Sequence, residues 1–122
     1  MPTVLVVEDE SAIAELLEMA LTDAGYEVIT AANGRQALER MAEGPRPDLI
    51  ITDFMMPVLN AAGLIEALRN HATYRDIPYI VMSSVPEANV RERVNGYRAF
   101  VRKPFQLAMM VQLVAGTLSS AE

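Results

Sequence analysis

Charged and hydroxyl side chains stand where short apolar runs of the sequence end. Glu8 and Asp9 follow VLVV, Asp53 closes LIIT, Ser83 follows YIVM, and Lys103 comes soon after AFV. A strand buried on both faces is a continuous apolar run, and its carboxyl end lies where the sheet opens to solvent. Three carboxylates gathered there would repel one another and raise one another's pKa unless positive charge lay among them.

A divalent cation and an ammonium would both supply that charge. The candidate ligands are oxygens, which favour a hard cation such as Mg²⁺, bound by a few carboxylates, several waters and a phosphate oxygen. The site therefore indicates phosphate chemistry. An aspartate such as Asp53 can act as a nucleophile and hold a phosphoryl group as an acyl phosphate, whose charge a metal, a lysine and a hydroxyl would spread.

The elements that must position these residues alternate along the chain. Five runs predict strands, namely TVLVV, YEVITA, DLIIT, YIVM and AFV. Apolar residues at helical spacing after four of these runs, and a short polar segment after YIVM, predict five helices. This alternation is typical of an α/β fold, here a doubly wound, five-stranded parallel sheet with helices on both faces, because parallel strands need crossover connections. Ligands of such folds bind at the carboxyl ends of the strands.

Local signals predict where several helices begin and end. Gly25 is expected just after the first helix, and Asn33 is expected to cap the second. The fourth helix is predicted to be short and polar, running from roughly residue 87 to residue 95.

Composition narrows the class of protein. The 122 residues, 52% of them hydrophobic, fit one globular domain. A net charge of −6 argues against direct nucleic-acid binding, which needs clustered positive charge. There is no cysteine for a disulfide or thiolate site, no membrane-spanning stretch and no signal peptide. The expectation is a single domain over 1–122 without an effector domain, located in the cytoplasm.

Four motifs, VLVVEDE, LIITDFMMP, IPYIVMSS and FVRKPF, stand in order along the chain. Together they resemble the CheY-like receiver domain of two-component response regulators, over essentially the whole chain. Any one motif would occur by chance, whereas four in register are specific. The resemblance implies the flavodoxin-like strand order 2-1-3-4-5. It also implies a phosphorylation-controlled switch in a phosphorelay, which is not an enzyme beyond its own phosphorylation and dephosphorylation.

The resemblance assigns a role to each residue of the site. Asp53 would be the phosphoacceptor, taking a phosphoryl group from a phosphohistidine on a sensor histidine kinase or phosphotransfer protein. Asp9, Asp53 and the backbone carbonyl of Met55 would ligate Mg²⁺ directly, and Glu8 would do so through water. Lys103 would pair with the phosphoryl oxygens. The phosphorylated domain would then present a changed surface to a downstream protein target.

The resemblance also implies a switch. Ser83 would donate a hydrogen bond to the phosphoryl group, and its choice over the neighbouring Ser84 depends on alignment alone. Phe100 matches the aromatic position that turns inward when the serine moves, although a phenylalanine there could equally be core packing. The Lys103–Pro104 bond would be cis, which is tolerable because proline follows.

Some segments depart from the family pattern. Ala61 stands where a glycine is usual at the start of the third helix, and Gly63 could offer a different turn or simply lie inside the helix. The segment from Ser83 to Lys103 is shorter than usual, and NGYR replaces a small-residue pair. Four arginines near this output face could form a basic docking patch or a solvated edge: Arg91, Arg93, Arg98 and Arg102.

Three other functions are compatible with parts of the pattern. A flavodoxin-like FMN module would need a hydroxyl-rich phosphate loop after the first strand, where this chain has EDESA. A phosphatase or phosphomutase with an aspartyl-phosphate intermediate commonly places a second aspartate two residues after the first, where this chain has Met55. A degenerate receiver would serve only as a protein-binding platform.

By the resemblance, the side chains of Met55 and Val85 would flank a phosphoryl group on Asp53. We expect hydrolysis of that phosphoryl group to be slow. Neither Met55 nor Val85 can orient an attacking water by hydrogen bonding. We expect a Met55→Asn, Val85→Glu double variant to lose its phosphoryl group about tenfold faster than the parent, as judged by the decay of the phosphorylated mass with time. Equal decay rates in the two proteins would refute the hypothesis.

Overall fold

A computed structural model of the protein describes residues 1–121, with side chains through residue 119. Five strands alternate with five helices. In chain order they are β1 (Thr3–Val7), α1 (Ser11–Asp23), β2 (Glu27–Ala31), α2 (Gly34–Glu43), β3 (Leu49–Asp53), α3 (Ala61–Arg69), β4 (Tyr79–Ser83), α4 (Glu87–Arg91), β5 (Ala99–Arg102) and α5 (Leu107–Ala121). In the part that the structure describes, no helix combines the length and the apolar character needed to cross a membrane.

The five strands form one parallel sheet in the order β2-β1-β3-β4-β5, which confirms the predicted fold class and strand order. Every residue of β1, β3 and β4 is buried, whereas four of the five residues of β2 are partly or fully exposed. This burial explains why the sequences of the central strands are nearly continuous apolar runs, whereas the sequence of the edge strand β2 is not.

Alternate residues of the strands pack into two separate cores, one on each face of the sheet. On one face, Leu5 and Ile50 lie in a core with residues of α2, α3 and α4. On the other face, Val6 and Ile51 pack with residues of α1 and α5. Both faces are thus covered by helices, as a doubly wound sheet requires.

The helix ends follow local side-chain signals. The Asn33 side chain accepts a hydrogen bond from the Gln36 N–H at 2.8 Å and caps α2, as predicted. Gly25, at φ +100°, follows the C-cap of α1. The Asn60 side chain caps α3 by accepting from the Gly63 N–H at 3.0 Å.

Gly63 therefore lies inside α3, and the alternative turn considered for it is wrong. The glycine has a packing role instead. A Cβ on Gly63 would lie 2.5 Å from Cδ1 of Leu59, so the missing side chain gives Leu59 its place under the helix. The start of α3 is thus set by the Asn60 cap together with this contact.

The fourth helix is shorter than predicted. It ends at Arg91, and the expectation of helix to about residue 95 is wrong for the last turn. Two interactions hold the short helix: Glu87 and Arg91 form an ion pair at 3.3 Å, and the Tyr97 hydroxyl donates to Glu87 at 2.6 Å. Downstream, the Asn95 side chain and carbonyl accept from Arg69 at 2.6 and 2.8 Å, so the chain leaves the helical path to reach α3.

Val58, in the loop between β3 and α3, has φ +69°. A β-branched residue in this left-handed region is strained, whereas asparagine tolerates it. The side chain is 74% exposed and contributes little packing.

We therefore expect Val58→Asn to raise the free energy of unfolding by about 1 kcal/mol in urea denaturation. Val58→Thr is the matched control, because it adds polarity but keeps the branched Cβ and should give no gain. If threonine stabilised the protein as much as asparagine, the backbone explanation would be wrong.

Candidate functional site

Parallel pairing brings the ends of four strands to one edge of the sheet. Val7 pairs with Thr52, so Glu8 follows directly beside the end of β3. Asp53 pairs with Met82, and Ser83 pairs with Arg102, the residue before Lys103. The register alone thus gathers the predicted site residues where β1, β3, β4 and β5 end.

The Lys103 ammonium lies between two carboxylates. Its Nζ is 2.6 Å from Glu8 Oε1 and 3.3 Å from Asp53 Oδ1. All three side chains are largely buried, with relative exposures of 12%, 0% and 9%. Glu8 also accepts from the Glu10 N–H at 3.1 Å, which fixes its second oxygen. One cation therefore joins the first strand, the third strand and the loop after the fifth.

Asp9 completes an acidic cluster with Glu8 and Asp53. One carboxylate oxygen from each of the three lies within 4.8 Å of the others. Glu8 and Asp53 are buried, while Asp9 is exposed at the mouth of the site. Three carboxylates face a single ammonium, so the site keeps a net negative charge. An all-oxygen donor set of this kind fits a hard divalent cation such as Mg²⁺.

The pKa values of Glu8, Asp53 and Lys103 are all raised above their ordinary values. Burial raises the pKa of Glu8 to about 6, and the charge of Asp53 adds to this, while Lys103 opposes it. Burial also raises the pKa of Asp53 against the opposing charge of Lys103. For Lys103, burial lowers the pKa, but the hydrogen bond to Glu8 and the charge of Asp53 outweigh it, and the net shift is upward. The site thus attracts protons and, by the same field, cations.

Ser83 lies at this edge of the sheet, whereas Phe100 stands two residues before the β5 residue that pairs with Ser83. Ser83 is buried at the end of β4, and its Oγ accepts from the Val85 N–H at 2.9 Å. Phe100 pairs with Val81 in the sheet and is half-buried against the core on the α3 and α4 face. The Lys103–Pro104 peptide is cis, as predicted.

Met55 and Val85, which the resemblance places beside the expected phosphoacceptor, differ in exposure. The Met55 side chain is 61% exposed, and Val85 is half-buried against the core. Both stand in loops at the same edge of the sheet, after β3 and β4.

Sequence reasoning missed the contacts that link the site to α4. The Tyr97 ring lies 6.1 Å from the Phe100 ring between centroids, and its hydroxyl bonds Glu87 in α4. Arg91 donates to the same hydroxyl at 3.3 Å. The only sequence signal was the unusual NGYR segment. A tyrosine in that segment could have been read as an anchor for the helix before it.

The four arginines of the expected output face do not act alike. Arg91 is engaged with Glu87, and Arg102 Nε donates to the Ser84 carbonyl at 3.1 Å. Arg98 lines a cavity at the opposite end of the sheet.

His71 is exposed in the loop between α3 and β4, and its ring stacks on the Tyr74 ring at 4.0 Å between centroids.

Comparisons with known proteins agree with this geometry. The family model described as "Response regulator receiver domain" matches residues 4–115. The transcriptional regulatory protein PrrA of Mycobacterium tuberculosis is 40% identical over 121 residues, which cover 96% of this chain and 50% of that protein. The chain thus spans about half the length of the curated relatives it matches.

Two solved structures are similar over nearly their whole length. The receiver domain of a signal transduction histidine kinase from Syntrophus aciditrophicus is 34% identical, with a TM-score of 0.86 and coverage of 98% of this chain and 92% of that one. The receiver domain of a sensor histidine kinase from Pseudomonas aeruginosa, solved with a magnesium ion in its active-site cleft, is 28% identical, with a TM-score of 0.86 and coverage of 97% and 98%.

The sheet order, the acidic cluster beside Lys103 and the family match over residues 4–115 converge on one conclusion. The chain belongs to the receiver domains of two-component response regulators, which are signalling proteins.

Proposed function

We propose that this receiver domain works as a Mg²⁺-dependent switch in which Asp53 accepts a phosphoryl group from a phosphohistidine on a sensor kinase or phosphotransfer protein. The observation that carries the proposal is the largely buried Lys103 ammonium, held 3.3 Å from Asp53 and 2.6 Å from Glu8 within an acidic cluster. A fixed cation beside a buried carboxylate is suited to a group that arrives with negative charge.

The phosphoryl step forms one bond and breaks one. A carboxylate oxygen of Asp53 attacks phosphorus, the bond between phosphorus and the donor imidazole nitrogen breaks, and the imidazole keeps the electron pair. Lys103 would pair with the phosphoryl oxygens as their charge develops, and the Ser83 hydroxyl would donate to one of them. Positioning and charge supply the catalysis, so the domain acts only on its own phosphorylation state.

The cation would be held by the carboxylates of Asp9 and Asp53 and the backbone carbonyl of Met55, with Glu8 acting through water. Mg²⁺ would neutralise charge between the carboxylates and the incoming phosphoryl group. This assignment is supported by the oxygens of the three carboxylates within 4.8 Å of one another.

A local rearrangement would carry the signal to the surface. The Ser83 Oγ accepts a hydrogen bond from the Val85 N–H. If the Ser83 side chain turned toward a phosphoryl group, this hydrogen bond would break. Phe100, half-buried beside Val81, could then move inward. Because the Phe100 ring lies near Tyr97, which bonds Glu87, such a movement would disturb α4.

The surface around α4, β5 and α5 would then bind a downstream protein target. With a net charge of −6, we propose no direct nucleic-acid contact by residues 1–122 themselves. The relatives named as transcriptional regulators are about twice as long, and DNA binding is not assigned to this part. We also propose that residues 1–122 form one domain and that this domain acts in the cytoplasm.

The direct test of the proposal is intact-mass analysis after incubation with acetyl phosphate and Mg²⁺. We expect one added phosphoryl group on the parent protein and none on Asp53→Asn or without magnesium. Asp23→Asn, a change at an exposed aspartate at the end of α1, is the matched control and should label like the parent. If neither acetyl phosphate nor a phosphorylated histidine kinase labels the parent, the chain is a degenerate binding platform and the proposal fails.

The raised pKa of Glu8 predicts a pH dependence of stability without metal. The folded-state pKa of about 6 lies above the ordinary value of 4.5, so the folded protein binds a proton that the unfolded chain releases in that window. In buffer with a chelator, lowering the pH from about 7 to about 5 should therefore raise the free energy of unfolding by about 1 to 2 kcal/mol relative to a Glu8→Gln variant.

Urea denaturation of both proteins across that pH range checks this prediction. The comparison with Glu8→Gln removes the contributions of the other acidic residues, which titrate in both proteins. A parent protein that loses stability relative to Glu8→Gln as the pH falls would contradict the assigned direction of the shift.

A further inference from the structure

A second concave site lies at the opposite end of the sheet from the acidic cluster. It is a cavity of about 240 Å³ between the end of α3, the loop that leads into β4 and the turn before β5. Its wall includes Arg69, Arg75 and Arg98, and one carboxylate, Asp76. Three of the ten Lys and Arg residues of an acidic chain therefore meet at one cavity.

The guanidinium of Arg69 is held in place from one side. Its Nη2 donates to the Asn95 side chain at 2.6 Å, to the Asn95 carbonyl at 2.8 Å and to the Tyr79 hydroxyl at 3.3 Å. Its remaining N–H groups donate to no residue within the described part of the chain. A guanidinium fixed in this way loses little freedom when it binds a ligand.

Gly96 keeps the wall of the cavity open. Its φ of +81° suits glycine, and a Cβ there would lie 2.9 Å from the Tyr79 hydroxyl and 3.1 Å from Nη2 of Arg69. A side chain there would push against the Tyr79 hydroxyl and crowd the guanidinium beside it. The NGYR segment that departs from the family pattern thus supplies both the anchor and the open wall.

The positive charge of the cavity is not neutralised by neighbouring carboxylates. Among residues 1–119, no carboxylate lies within 4.0 Å of the guanidinium nitrogens of Arg69, Arg75 or Arg98. Arg75 and Arg98 are exposed, and their side chains donate no hydrogen bond to this part of the chain. Three guanidiniums against one carboxylate leave a net positive field, and the planar fork of arginine matches phosphate oxygens.

We propose that this cavity binds the phosphate of a small phosphate monoester. The volume is below the range of about 300 to 1,000 Å³ typical of sites for drug-sized ligands, so the ligand is small. Apolar wall residues, among them Ile65, Leu68 and Tyr74, would contact its organic part. The proposal depends on the cavity alone and does not require phosphorylation of Asp53.

The test is isothermal titration calorimetry at constant ionic strength, without magnesium, with inorganic phosphate and glycerol 3-phosphate as probes. We expect both to bind the parent protein, and glycerol 3-phosphate to bind more tightly. Arg75→Gln and Arg98→Gln should each raise the Kd about tenfold through loss of one charge-assisted contact. Asp76→Asn should lower the Kd, because it removes the one negative charge at the wall.

Arg93→Gln is the matched control, since Arg93 is exposed and lies outside the cavity wall. It should bind both probes like the parent. No binding to the parent, or an equal loss of affinity in Arg93→Gln and Arg75→Gln, would overturn the site. Glycerol 3-phosphate binding no more tightly than inorganic phosphate would overturn the monoester assignment.

Discussion

The ion pairs of Lys103 with Glu8 and Asp53 are the constraint on which the rest of the site depends. The lysine and Glu8 are 95 residues apart in the chain, and their contact at 2.6 Å holds the loop after β5 against the end of β1. Without the ammonium, two buried carboxylates and the neighbouring Asp9 would face one another uncompensated, at a cost of several kcal/mol. Because Lys103 supplies one positive charge for three carboxylates, the site keeps a net negative charge, which favours the binding of a divalent metal ion.

The parallel sheet makes this arrangement possible. A parallel sheet directs the carboxyl ends of all its strands to one edge, so four separated segments deliver their polar residues to one place. The central strands are buried on both faces, and their ends therefore combine a rigid backbone with low solvent access. Burial in turn raises the pKa of Glu8 and Asp53. The fold thus provides both the geometry and the electrostatics of the site.

Much of this could be predicted from the sequence because the signals are local. TVLVV coincides with β1, and the predicted DLIIT overlaps β3, which begins and ends one residue later and so includes Asp53. The Asn33 cap and Gly25 were also predictable, since each acts within a few residues of its own position. The four motifs in register predicted that Glu8, Asp9, Asp53 and Lys103 meet at one edge of the sheet, and the structure brings them together there.

The features that sequence reasoning missed depend on contacts between distant segments. The early end of α4 follows from Arg69 binding Asn95, and Tyr97 binding Glu87 holds the short helix that remains. The left-handed backbone of Val58 cannot be read from a valine, which normally avoids that conformation. The arginine cavity likewise forms only when α3, β4 and the turn before β5 come together.

The central claim is that the phosphoryl group is carried by Asp53 in particular. Borohydride reduction of the phosphorylated protein converts an aspartyl phosphate into homoserine, and peptide mass mapping then locates the converted residue. We expect homoserine at position 53 and at no other position. Conversion at Asp9, reduction at Glu8, or a phosphoryl group that survives reduction on a serine would contradict it.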